Sequence, residues 1–248
     1  MTEQKSPSKT AAMVSVVLPA YNEANRLEVA VAKISQTLKE DEYPYEIIIA
    51  EDGSTDGTAE KAEELAQKYS YVKHIHREKR LGRGAALNNA FRQANGEVFV
   101  YMDLDLSTDL KSLKPLVDAI IIEGYDFSTG SRMLPESTVE RSLRRSIISR
   151  SYNFLVRQML GSKVRDHQCG FKAFRRDAVL SLLGKVEATH WFWDTEILVR
   201  AQRHGFKVKE IPVKWTSSSR DTKVNLAEDS WNMFWQVTKL WWKLKTKS

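Results

Sequence analysis

Strand-like and helix-like segments alternate through the first hundred residues, and each strand-like segment ends in a polar turn. No other feature of the sequence restricts the fold as much. Residues 14–18 are an apolar run that stops at Pro19-Ala20-Tyr21-Asn22-Glu23, the pattern of a strand covered on both faces. Leu27, Val31, Ile34 and Leu38 then give residues 24–39 the spacing of an amphipathic helix. A second strand at 46–50 ends in Glu51-Asp52-Gly53-Ser54-Thr55-Asp56-Gly57-Thr58 and leads into a helix over 58–69. A third at 72–76 runs into Arg77-Glu78-Lys79-Arg80-Leu81-Gly82-Arg83-Gly84 and a helix reaching Ala94. A fourth, 98–102, ends in Asp103-Leu104-Asp105. This alternation predicts an α/β domain built from βαβ units, with a mostly parallel sheet flanked by helices. In such sheets ligands bind outside the carboxyl ends of the strands. Glu23, Asp52, Asp103 and Asp105 all follow such ends, which favours one binding site over unrelated capping turns.

The acidic pair carries the most chemistry. Residues two apart on an extended backbone point the same way, so the carboxylates of Asp103 and Asp105 leave the strand together and repel. A cation between them relieves that cost. Mg²⁺ is typically held by one or two carboxylates plus substrate phosphates, so the pair reads as a metal–diphosphate site. The alternative is a solvated acidic turn before a helix at 110–123, with Ser107 or Asp109 as N-cap. Arg132, after a predicted strand at 125–130, reads either as a surface arginine or as a phosphate clamp. The cations and glycines of 79–84 precede a helix N-terminus, a setting that suits an anion. No Gly-Lys-Ser/Thr follows, and the first turn lacks Gly-x-Gly-x-x-Gly, which argues against a P-loop and a dinucleotide site. Tyr21 reads as a rim aromatic of the site or of the core. Asp52 reads as an acceptor for base or ribose donors, or as an Asx-turn residue. Asp194 and Glu196 open a helix, where acids are common; they could also line the reaction centre. His167 and Cys169 are too few for a zinc site and read as structural.

The formal net charge of +6 favours anionic partners. Nucleotide and anionic lipid fit; nucleic acid lacks a recognition motif. A single cysteine, Cys169, excludes an internal disulfide framework. No apolar run approaches the ~20 residues that span a bilayer. Residues 1–12 read as a disordered N-terminus, 13–225 as one domain, and 226–248 as a C-terminal amphipathic helix. Within the domain, 137–160 reads as one long helix, with Arg141, Arg144, Arg145, Arg150 and Arg157 against Glu140. The tail combines Trp231, Trp235, Trp241 and Trp242 with Lys239, Lys243, Lys245 and Lys247. Two readings stand for it: a membrane-interface helix, rings at the headgroups and amines on anionic lipid, or a helix docked on the core. With 137–160 it could form a membrane-facing platform.

Taken together, these motifs resemble family 2 glycosyltransferases of the GT-A (Rossmann-like) fold, and within them the dolichyl- and polyprenyl-phosphate branch. The marks are Pro19-Ala20-Tyr21-Asn22-Glu23, the 51–58 turn, Asp103-Leu104-Asp105, Gly130-Ser131-Arg132 and residues 166–172. Gln168-Cys169-Gly170-Phe171-Lys172 and Val213-Lys214-Trp215-Thr216 look closer to dolichyl-phosphate glucosyltransferases than to mannose synthases. The resemblance implies nucleotide binding by Pro19, Tyr21, Glu23, Ala50, Asp52 and Leu104. It implies Mg²⁺ or Mn²⁺ on Asp103 and Asp105, and phosphate contacts from Arg132, Arg220 and Lys223. Glu51 departs from the family's usual Asp, and Ser107 from the Gln of mannose synthases. Eukaryotic members carry an N-terminal membrane anchor that this sequence does not show, which gives the basic, aromatic helices more weight.

The expected activity is inverting, metal-dependent transfer of a hexose from a nucleotide sugar to dolichyl or polyprenyl phosphate, at the cytoplasmic face of an anionic membrane. UDP-glucose is the favoured donor; GDP-mannose and UDP-N-acetylhexosamine remain open. A phosphate monoester is largely dianionic at neutral pH, its second pKa being about 6, so it attacks without a general base. A glycan hydroxyl acceptor would need one, and Asp194 is the candidate. A silent nucleotide-sugar binding module is the remaining alternative.

Overall fold

The computed structural model describes residues 12–216 and 226–246. The expected N-terminal disorder, Arg220 and Lys223 therefore fall outside the described residues.

Three βα steps and a fourth strand open the chain: β1 (Val14–Ala20), α1 (Ala24–Glu40), β2 (Tyr45–Glu51), α2 (Thr58–Lys68), β3 (Val72–Ile75), α3 (Arg83–Gln93) and β4 (Val98–Met102). A short 3₁₀ turn, Leu110–Ser112, precedes α4 (Leu113–Ile121), and Asp109 caps that turn by accepting from Lys111 N at 2.9 Å. Next come β5 (Phe127–Ser131), β6 (Thr138–Glu140), α5 (Leu143–Leu160), β7 (Phe171–Arg175), α6 (Arg176–Leu183), α7 (Trp193–Arg203), β8 (Val208–Pro212), β9 (Lys214–Thr216) and α8 (Leu226–Thr246).

The main sheet has seven strands in the order β3-β2-β1-β4-β7-β5-β8. All neighbours pair in parallel except β7, which runs antiparallel to β4 and β5. The expected mostly parallel α/β sheet is thus present. Strand order reverses at β1, between β2 and β4, which opens a crevice beyond the carboxyl ends. The inner strands are buried along most of their length, and the helices cover both faces as two apolar clusters. Phe91, Phe99, Phe127, Phe174 and Trp193 stack and tilt against one another on one face.

Two elements differ from the sequence reading. Residues 138–140, expected as helix, pair in parallel with Lys214–Thr216 in a separate two-stranded ribbon. The helical spacing of 137–160 extends only as far back as α5, where Ser142 caps the first turn by accepting from Arg145 N. The tail helix is docked: Val237 and Leu240 are buried in the core cluster and α8 packs against α5. Its other side leaves Trp235 and Trp242 about two-thirds exposed.

Candidate active site

The site forms where β4, β7 and the β6–β9 ribbon meet. β4 ends at Met102, and Asp103 and Asp105 emerge beyond it. Asp103 N donates to Gly170 O at 3.1 Å, joining the turn to the residue before β7. Asp105 folds back on its own turn, accepting from Ser107 N at 3.0 Å and Ser107 Oγ at 2.7 Å; Leu106 between them takes a left-handed backbone, φ 49°. Thr108 bridges to Trp215, so the ribbon closes the far wall. The resulting pocket is lined by Asp103, Asp105, Ser107, Arg132, Gln168 and Trp215.

Arg132 is held on this wall from behind. Its Nε and Nη2 donate to Asp166 at 2.7 and 2.9 Å, and its backbone N donates to the same carboxylate at 3.0 Å. Burial disfavours the Asp166 charge, but Arg132 outweighs it and holds the carboxyl well below its ordinary range. The guanidinium lies 5.6 Å from the Trp215 ring centroid.

A second network sits beneath Asp103. Arg83 Nη1 donates to Asp103 Oδ1 at 3.1 Å, and its Nη2 donates to Asp194. Lys172 Nζ lies 2.7 Å from Asp194, and Tyr101 donates to the same carboxylate at 3.0 Å. The side chains of Lys172 and Asp194 are fully buried. Trp191 covers the guanidinium of Arg83 at 4.1 Å. Asp103 keeps 41% of its side chain exposed. Partial burial, then the like charges of Asp105 and Asp194, push its carboxyl up to about 6, while Arg83 and Lys172 oppose the shift.

The structure brings Asp103, Asp105 and Arg132 into one pocket, but not every expected residue joins them. Asp194 lies in the buried network and does not face the pocket, which corrects its expected place at the reaction centre: an acid held by two cations and a phenol has no open path to a substrate proton. Ala50 and Leu104, expected at the nucleotide, have side chains packed in the core, 1% and 5% exposed, so a nucleotide would meet their backbone. Asp52 accepts from Leu81 N at 2.9 Å and Gly82 N at 2.7 Å, so it anchors the basic loop before α3. Gly82 has φ 104°, and a Cβ there would lie 2.4 Å from Thr189 O, which only glycine avoids. That loop carries Arg80 over the Tyr21 ring at 3.8 Å. Pro19 and Glu23 are half-buried on the same edge, Glu23 paired with Arg26 at 2.9 Å.

His167 is buried between Asn153 Oδ1 and Ser162 Oγ, both at 2.8 Å, and burial lowers its pKa to about 3. Cys169 is buried, and burial pushes its thiol up to about 12. Both are structural, as expected. Sequence reasoning missed Arg83, Lys172 and Gln168 as site residues. The available signal was Lys172 itself, a lysine inside the apolar Phe171-Lys172-Ala173-Phe174 run, which demands a buried partner.

Oxygen donors on a half-exposed acidic pair, one of them already drawing a cation, fit a hard divalent ion such as Mg²⁺ or Mn²⁺. An acidic pair beyond β4, at the switch point, and an arginine in the same pocket fit the GT-A arrangement, and residues 15–183 match glycosyl transferase family 2. The chain belongs to that family.

Among its relatives is glycosyltransferase AglD of Haloferax volcanii, 48% identical over 99% of this chain; the chain spans only 40% of that protein's length. The human dolichyl-phosphate beta-glucosyltransferase is 33% identical over 85% of this chain and 68% of its own. Glucosyl-3-phosphoglycerate synthase of Mycobacterium tuberculosis, solved with UDP, superposes with a TM-score of 0.71 at 22% identity, covering 93% of this chain and 80% of that one. It shares the fold.

Proposed function

We propose that this chain is an inverting hexosyltransferase that moves glucose from UDP-glucose to a polyprenyl or dolichyl phosphate, using Mg²⁺ or Mn²⁺. The observation that carries the reading is the single pocket lined by Asp103, Asp105, Arg132, Gln168 and Trp215. The names of the relatives support glucose as the sugar and dolichyl phosphate as the acceptor. Asp103 and Asp105 would hold the ion, which neutralises the departing diphosphate when bound. Arg132, kept charged and oriented by Asp166, supplies a fixed cation for phosphate oxygens. The Tyr21–Arg80 stack and the loop anchored by Asp52 form the nucleotide edge. Lys172 and Arg83 offset the charge of Asp194, and Arg83 fixes Asp103 from below, so Asp194 positions the site and takes no proton. A phosphate acceptor, already dianionic, needs none taken.

Membrane contact belongs to the same proposal. α5 exposes Leu143, Ile147 and Phe154 with Arg144, Arg150 and Arg157, and α8 exposes Trp235 and Trp242 with Lys239 and Lys245. No helix among the described residues is long and apolar enough to cross a membrane. An apolar face rimmed by cations suits the surface of an anionic bilayer, the cytoplasmic leaflet being the expected one.

The test is a panel of nucleotide sugars with Mn²⁺ or Mg²⁺ and a short polyprenyl phosphate. Transfer should occur with UDP-glucose and stop in Asp103→Asn and Asp105→Asn, with circular dichroism unchanged. Near-normal turnover by both variants sinks the metal–diphosphate reading.

A further inference from the structure

A second cluster of metal-ligating side chains lies away from the acidic pair. β2 and β3 pair with Ile49 opposite His74 and Ala50 opposite Ile75. This register sets Glu51, His74 and His76 on one face of the sheet edge, the side chains two apart on each strand pointing alike. One ligand atom from each of the three lies within 4.8 Å of the others. The two imidazole rings are 5.9 Å apart, tilted by 57°.

The state of His74 is the informative one. Its side chain is 8% exposed. Its Nδ1 bonds Glu63 Oε2, on α2, at 3.1 Å. Its Nε2 is buried and has no hydrogen-bond partner. An unmatched buried polar atom is costly, so its retention here needs a reason. A carboxylate on one ring nitrogen with the other left open is the arrangement of a metal-binding histidine, the carboxylate fixing tautomer and ring direction. Glu51 has a fully buried side chain and bonds His76 Nδ1 at 2.6 Å. His76 is half exposed and gives an entry path.

We propose that Glu51, His74 and His76 form a transition-metal site of the Zn²⁺ class that ties together the carboxyl ends of β2 and β3. Two imidazoles and one carboxylate suit Zn²⁺, whereas all-oxygen sets suit Mg²⁺ and Mn²⁺. The ion is separate from the one on Asp103 and Asp105. β2 lies two strands from β4 and β3 three, roughly 10–14 Å at the usual spacing of neighbouring strands, while ligands bind an ion at about 2 Å. The site adjoins Asp52, whose carboxylate anchors the Leu81–Gly82 turn. Metal here would stiffen the nucleotide edge without entering the reaction.

The experiment titrates untagged full-length protein with ZnCl₂ by calorimetry and repeats it on an Asp103→Asn/Asp105→Asn variant. Both should bind one Zn²⁺ per chain. His76→Gln alters a half-exposed side chain, so the fold is kept, and should weaken binding at least 10-fold. Glu63→Gln touches no metal and should weaken it by roughly 10–100-fold, as loss of an outer partner does. Co²⁺ in place of Zn²⁺ should give visible absorption that His76→Gln abolishes. Absence of stoichiometric Zn²⁺ in the wild type, binding that ignores His76→Gln, or binding lost only in the acidic-pair variant would each overturn the proposal.

Discussion

Gly170→Ala is the sharpest test of the site, because it removes no polar group. A Cβ at Gly170 would sit 1.8 Å from Asp103 Oδ2 and 2.4 Å from Asp103 Cγ. Real Cβ contacts stay beyond 3.0 Å, so the oxygen must retreat by about 1.2 Å, the gap between those two distances. Gly170 O also accepts from Asp103 N, so the backbone is tethered and the side chain has to turn. Asp103 borders the open pocket and is 41% exposed, which gives it room to swing away with little loss of stability. Catalytic geometry is less forgiving: a misplacement near 1 Å costs about 100-fold in rate, or about 2.7 kcal/mol. Glucosyl transfer should therefore fall by about two orders of magnitude, the Mn²⁺ concentration for half-maximal rate should rise, and the urea midpoint should stay near wild type. The assay is initial rate against Mn²⁺ at saturating UDP-glucose, with unfolding run alongside. Wild-type rate and metal dependence in a folded Gly170→Ala protein would refute the claim that Asp103 holds its place against Gly170 to bind the ion.

Asp194→Asn should act on stability first, costing about 3–5 kcal/mol because Lys172 and Arg83 lose a buried partner; a fully stable variant with a rate loss of roughly 10²–10⁴-fold would instead support a general base. His167 stays neutral to about pH 3 in the fold but titrates near 6.5 when unfolded. The unfolded chain therefore binds the extra proton, and stability falls with acid across that window. Between pH 7 and pH 5 the loss from this residue is about 2 kcal/mol, read by urea melts at both pH values and absent in His167→Gln. On the helical platform, Trp235→Ser with Trp242→Ser should leave stability within about 0.5 kcal/mol yet reduce flotation with anionic vesicles. Leu240→Ala, on the docked side of α8, should cost about 2–5 kcal/mol; flotation unchanged by the tryptophan pair would end the membrane reading of this face.

The sequence by itself determined the βαβ core and the acidic pair. β1 to β4 follow from apolar runs closed by polar turns and the helices between them from the 3.6-residue period, both local signals, and the polar turns mark the edge where ligands bind. Asp109 as a cap and the 98–102 strand were legible for the same reason. Other features depended on pairing between distant segments. β7 enters antiparallel between β4 and β5, which brings Gly170 to Asp103 and sinks Lys172 among aromatic rings. Arg83, twenty residues before Asp103, meets it only because α3 starts beside the end of β4. Residues 138–140 look helical until Lys214–Thr216 offers a strand to pair with. Asp194 reads as a helix-opening acid or a residue of the reaction centre, and only packing turns it into the buried counter-ion of two cations. His74 and His76 are unremarkable two residues apart until β2 sets Glu51 against them. Tertiary structure decided these points because desolvation and long-range pairing fix which charges meet, and neither leaves a periodic trace in the chain.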